Sequence, residues 1–295
     1  MHDHGGGGAP QGVLVSAMWT YAATVLYPAR ALKQAGLGAE TILGDEPEGL
    51  PRKGLGPYFS RRYPEPVLLE EPTEHDELVV EFDRSAEVYA AFVRPFSRPI
   101  FDEALGVLGR YLSPDSRVLD AGCGPGQELE RVGRLVPDGE VVGIDLAAGM
   151  VNTAHRAARA HGLDHSAFFQ ADVGALPRAF TGKFDLAYNC LAHHHYPEPE
   201  RAAREVLRCL RPGGVYCIVD PGPDWYNRMS VPLARWADPG WIGFHTPEEF
   251  RDLLSRAGFA RTAWIDLLPG FGIAVGQSAL RRSRAPSARR RRAPS

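Results

Sequence analysis

Arg117-Val-Leu-Asp-Ala-Gly-Cys-Gly-Pro-Gly-Gln127 is the stretch whose reading decides the fold. Val118 and Leu119 read as the end of a buried parallel strand, which is typically a short apolar run. Asp120 follows, and Gly122, Gly124 and Gly126 then fall at every second position. Glycine at that spacing lets the backbone turn sharply and come close to a ligand with no Cβ in the way. A helical pattern opens directly afterwards, over Glu128–Leu135. Its free N–H groups therefore point back at the loop, as in a nucleotide-type cofactor site at the carboxyl edge of a first strand.

A dinucleotide fingerprint, G-x-G-x-x-G, would carry its third glycine where this chain has Gln127. The loop here is G-x-G-x-G with an acid two residues before the first glycine, and it resembles motif I of the class I S-adenosylmethionine (AdoMet) methyltransferases. Later segments are similar to that family's motifs in the same order. Val141-Val-Gly-Ile-Asp145 reads as a second strand ending in an acid placed for ribose hydroxyls. Ala171-Asp172-Val173 ends a third strand and resembles the family's adenine contact, and Phe184–Asn189 reads as a fourth strand. Leu207–Gly214 followed by Val215–Asp220 resembles the helix, turn and fifth strand. Singly, Asp145 or Asp172 could equally be a helix cap, because aspartate is a common one.

Within the class, Phe82-Asp-Arg-Ser-Ala-Glu-Val-Tyr89 resembles the F-D-x-x-A-x-x-Y stretch of the ubiquinone/menaquinone-type group (methyltransferase type 11/25). The resemblance spans roughly residues 80–277 and implies a Rossmann-like, seven-stranded, mostly parallel α/β sheet with an antiparallel last strand and helices on both faces. It implies AdoMet as cofactor, with S-adenosylhomocysteine as product. The implied contacts are Tyr89, Asp120, Gly122, Gly124, Gly126, Gln127, Asp145, Leu146, Met150, Asp172, Val173 and Asn189. A half-buried core tyrosine is the alternative role for Tyr89.

The fourth strand is followed by His193, His194 and His195, at the end of the sheet where ligands bind in this architecture. Resembling enzymes often carry a His-His pair here, which matches His194 and His195 and makes them candidate general bases. The alternative is that they cap the loop or pack under the cofactor. Adjacent histidines point in divergent directions, so no metal site is expected. Residues 221–245 read as an irregular insert dense in aromatics, including Trp236. Apolar walls with a few polar groups are what a small-molecule pocket needs, so Trp225, Tyr226, Trp241, Phe244 and His245 are the candidate substrate contacts.

The chain divides into an accessory segment over residues 1–75, the methyltransferase domain over 76–280, and a tail over 281–295. Residues 1–12 are glycine-rich, and 13–36 show a helical pattern ended by Gly36 and Gly38. Residues 44–73 are rich in proline, glycine and charge and read as a long extended arm, able to roof the pocket or to lie without a role. Thr246-Pro-Glu-Glu249 predicts a capped helix stopped at Gly258, with Thr262–Leu268 and Gly272–Gly276 as the closing hairpin. The seven arginines of the tail predict disorder, and removing them from the formal net charge of −3 leaves a body near −10.

Cys123, Cys190, Cys209 and Cys217 show no paired ligand spacing and read as buried thiols. No basic leader is evident, and the apolar stretch Val13–Tyr27 is too short to span a bilayer. A soluble cytoplasmic chain, monomeric or homodimeric, is the expectation. The leading functional reading is O-, N- or C-methylation of a small molecule, in specialised metabolism. A nucleic-acid methyltransferase using the basic tail is a rival, but the residues after the fourth strand are Asn189-Cys-Leu-Ala192, without the N/D-P-P-aromatic motif of base methylation. A cyclase or sensor that binds AdoMet without methylating would share the same cofactor motifs.

Overall fold

The computed structural model describes residues 58–69, 97–237 and 240–280. The readings made for residues 1–57, for 70–96 including Tyr89, and for the tail lie outside the described residues. The elements, in chain order, are α1 (Tyr58–Arg62), α2 (97–108), β1 (Arg117–Ala121), α3 (Leu129–Leu135), β2 (Glu140–Asp145), α4 (Ala148–Ala160) and β3 (Ser166–Gln170). They continue with β4 (Phe184–Cys190), α5 (Pro199–Cys209), β5 (Leu210–Pro221), α6 (Asp224–Ala237), α7 (Pro247–Ala257), β6 (Arg261–Leu268) and β7 (Phe271–Gln277).

These strands form one seven-stranded sheet in the order β3-β2-β1-β4-β5-β7-β6. The first five strands pair in parallel, and β7 runs antiparallel to both β5 and β6. That is the expected Rossmann-like arrangement, including its antiparallel end. The strand order reverses between β1 and β4, and a crevice opens there beyond the carboxyl ends of the strands. Apolar residues bury both faces, with Val118, Val141, Phe168 and Leu186 on one side and Leu119, Val142, Ala187 and Ile218 on the other. Such two-sided burial is why these strands read as continuous apolar runs.

Local signals are realised where local chemistry suffices. Thr246 Oγ1 accepts the Glu249 N–H while Glu249 Oε2 accepts the Thr246 N–H, so α7 starts on the predicted capping box. Gly258 ends it with φ of 107°. Two segments differ from expectation. Residues 221–245, read as irregular, contain the helix α6 with Pro232 inside it. β5 starts at Leu210, ahead of the glycine turn, because Leu210 already pairs with Phe184.

The arm also differs, since it carries the short helix α1 and docks on the sheet. Phe59 is buried among Phe169, Phe180 and Phe184, with ring centroids 6.3, 5.1 and 6.1 Å away. Beside it, Arg117 and Glu140, the first residues of β1 and β2, form a buried ion pair of 3.5 Å. Glu140 Oε1 accepts the Ser60 N–H at 2.6 Å, so the arm donates to one oxygen of a carboxylate that burial pushes above its usual pKa. Among the described residues no helix is long and apolar enough to cross a membrane.

If α1 is part of the core, truncating its anchor should cost as much as truncating a buried core aromatic. Phe59→Ala should destabilise the protein by about 3–5 kcal/mol in urea titration. A change within about 0.5 kcal/mol, the size usual for a surface substitution, would show that the arm is peripheral.

Candidate cofactor cleft and histidine–aspartate pair

The loop after β1 is built to keep backbone close to a ligand. Gly122, Gly124 and Gly126 all hold positive φ, at 83°, 49° and 78°. A Cβ at Gly124 would meet nothing within 4 Å, so that stretch of backbone faces open space. Gly126 serves packing instead: a Cβ there would lie 2.5 Å from Leu129 Cδ1 and 3.0 Å from the backbone of Ala154. Asp145 Oδ2 accepts the Gly124 N–H at 2.9 Å, and its Oδ1 accepts the Ala147 N–H at 3.0 Å. The carboxylate thereby ties the glycine loop to the end of β2.

A cleft of about 720 Å³ lies over these strand ends. Of the residues expected to hold the cofactor, Asp120, Gly122, Gly124, Gln127, Asp145, Leu146, Met150, Asp172 and Val173 line it. Gly126 and Asn189 are not among its lining residues and support it from beneath. Asn189 Nδ2 donates to the Ala121 carbonyl and to Tyr196 Oη, and Tyr196 Oη donates to the same carbonyl at 2.9 Å. Asp120 is buried and accepts a 2.6 Å hydrogen bond from Tyr188 Oη. Burial holds its carboxyl well above the usual range. Gln127 Oε1 accepts from Ser97 Oγ, and Asp172 caps the following turn by accepting the Gly174 N–H at 2.7 Å. Asp172 is therefore both a cap and a wall of the cleft.

The residues present fit AdoMet. Open glycine backbone suits the charged amino-acid end, Asp145 offers an acceptor for vicinal hydroxyls, and apolar walls near β3 suit a flat base. The site also contains residues that sequence reading missed. Val67, Leu69 and Gln170 line the β3 side, and Tyr196 and Leu191 line the β4 side. Leu191 holds φ of 53°, a left-handed conformation uncommon for a side chain of that size, directly after β4.

The three histidines occupy one short turn but have different surroundings. His193 is 1% exposed, packed against Tyr196, His245 and Phe250, and among the described residues neither ring nitrogen has a hydrogen-bond partner. Its burial depresses its pKa well below that of a free histidine. His194 Nδ1 lies 2.7 Å from Oδ1 of Asp220, whose side chain is fully buried at the end of β5. A carboxylate only accepts, so Nδ1 donates and Nε2 of the neutral ring keeps its lone pair. His195 lines the cleft, its ring 4.2 Å from that of His194, and its Nδ1 meets the Gly240 carbonyl at 2.9 Å. Asp220 was not singled out in the sequence, because its partner lies 26 residues away.

The candidate substrate residues divide. Phe244 packs on His194 and Trp241 packs on Phe244, both with ring centroids 5.4 Å apart. His245 adjoins buried His193, and Ile242 N–H donates to the His194 carbonyl, which fixes this loop over the histidine turn. Tyr226 instead lies in the core against Phe271, and Trp225 is half exposed on α6. None of these five lines the cofactor cleft. Among the described residues no group of three or more His, Cys, Asp or Glu side chains could hold a metal ion.

Comparison with known proteins agrees with this geometry. The family described as Methyltransferase domain matches residues 118–214. Malonyl-[acyl-carrier protein] O-methyltransferase of Dechloromonas aromatica is 31% identical over 186 residues, covering 59% of this chain and 66% of that protein. Nocamycin O-methyltransferase of Saccharothrix syringae is 35% identical over 146 residues, covering 48% and 50%. The chain thus spans half to just under two thirds of the length of these curated relatives. A SAM-dependent methyltransferase from Aquifex aeolicus has the same fold, with a TM-score of 0.53 at 20% identity over 66% of this chain and 97% of that one.

Because buried His193 stays neutral when an unfolded chain would protonate, the unfolded state binds more protons at acid pH. Stability should therefore fall as pH drops below about 6.5. His193→Phe, which keeps an aromatic ring and removes two unpartnered nitrogens, should flatten that acid-side fall in Tm. An identical Tm-against-pH slope in the variant would contradict the assignment.

Proposed function

We infer that this chain, whose core is a class I AdoMet-dependent methyltransferase domain, transfers a methyl group to a small-molecule acceptor with His194 as the base. The observation that carries this reading is the His194–Asp220 pair at the ends of β4 and β5, with His194 against cleft-lining His195 on one side and Phe244 on the other. AdoMet supplies a methyl group already activated by its sulfonium, so the protein's work is alignment, exclusion of water and handling of one proton.

The residues have separable roles in this account. Asp145 would accept from the ribose hydroxyls, and the Gly122–Gly124 backbone would approach the amino-acid end. His194 Nε2 would take the acceptor's proton, while Asp220 holds Nδ1–H and offsets the charge that builds on the ring. The Trp241–Phe244–His245 loop would supply an apolar wall for the acceptor. A positioned base of this kind contributes about 10²–10⁴-fold. Similarity to the nocamycin enzyme supports placing the acceptor among specialised metabolites, and the two curated relatives named above are O-methyltransferases.

The test is a screen of hydroxylated and carboxylated metabolites for S-adenosylhomocysteine release, followed by variants on the best acceptor. His194→Ala should lower kcat about 10²–10⁴-fold. Asp220→Asn should lower it less. Full activity in His194→Ala would remove the base from the account. Failure of every acceptor, with cofactor still bound, would favour a non-methylating AdoMet protein.

A further inference from the structure

We propose that the arm over residues 63–69 is a working wall of the cofactor site, held in place by the side-chain amide of Gln170. This rests on reading the cleft as the AdoMet site. The arm adds itself to the edge of the sheet in parallel with β3: Val67 N–H donates to the Phe168 carbonyl at 2.9 Å, and the Gln170 N–H donates to the Val67 carbonyl at 2.8 Å. Alternation along an extended segment puts Val67 and Leu69 on one face. Both line the cleft, and both are more than a third exposed, at 37% and 43%.

Gln170 joins this wall to the rest of the site. Its Oε1 accepts the Leu69 N–H at 3.1 Å, and its Nε2 donates to the Leu146 carbonyl at 3.0 Å. Leu146 directly follows Asp145. One amide therefore spans from the arm to the residue beside the ribose acceptor. With the ribose at Asp145 and the charged end at the glycine backbone, the planar base falls toward β3, where Val67, Leu69 and Val173 offer apolar surface. Covering those two half-exposed side chains supplies a reason for apolar residues to stand open at this edge.

The test is calorimetric titration of the full chain with S-adenosylhomocysteine and with methylthioadenosine, which lacks the amino-acid end. Three variants are compared with the parent protein. Val67→Pro removes the N–H that holds the arm and suits extended backbone, Gln170→Met removes the bridge at similar size, and Leu69→Ser alters the wall without touching a backbone bond. Each should weaken both ligands about five- to tenfold, and S-adenosylhomocysteine should protect the Arg61–Arg62 segment from trypsin only in the parent. If a variant fails to melt cooperatively without ligand, Leu69→Ser decides. Unchanged affinity in the folded variants would overturn the wall while leaving the cofactor reading intact. A loss confined to S-adenosylhomocysteine would also overturn it, because the wall would then not face the base. No binding by the parent protein would remove the cofactor reading and the wall together.

Discussion

The backbone between Ala121 and Gln127 has to leave the buried end of β1 without filling the crevice that the reversal of strand order opens. Everything else at the site follows from how that is done. Three left-handed glycines fold the loop back, and Asp145 ties it to β2 through the Gly124 N–H. From beneath, Asn189 and Tyr196 both donate to the Ala121 carbonyl at the end of β1. Buried carbonyls and N–H groups are costly when unpaired, so this network fixes one loop shape rather than several. The cleft is thus held open by hydrogen bonds within the protein itself.

A second constraint ties the His194–Asp220 pair to the same sheet. His194 and Asp220 belong to adjacent strand ends, because β4 and β5 pair in register from Leu186 with Val215 to Cys190 with Val219. The register carries Asp220 to the height of the histidine turn. The loop that bears Trp241 and Phe244 is fixed to that turn by the Ile242 N–H. The His194–Asp220 pair and the loop packed on it therefore lie at the same end of the sheet as the cleft, which Val67 and Leu69 line on its β3 side.

Much of this was legible in the sequence because it is written in short-range chemistry. The glycine spacing after an apolar run, the acid ending β2 and the Thr246 capping box each specify their own local geometry. What could not be read depends on distant partners. Phe59 looks like one aromatic in a polar arm, and only the pocket formed by Phe169, Phe180 and Phe184 makes it core. Asp220 looked like a strand end until His194 was beside it. The aromatics of 221–245 suggested an irregular pocket, but α6 turns Tyr226 into the core and leaves Trp225 half exposed. Composition says that aromatics are present; helical phase decides which way they face.

The central claim is that the crevice between the glycine loop and Asp145 is the AdoMet site. A crystal structure of the full chain with S-adenosylhomocysteine tests it most directly. The account predicts ribose hydroxyls within hydrogen-bonding distance of Asp145, the amino-acid end over Gly122–Gly124, and the base against the β3 edge. Ligand density elsewhere on the chain, or a ribose with no contact to Asp145, would contradict it.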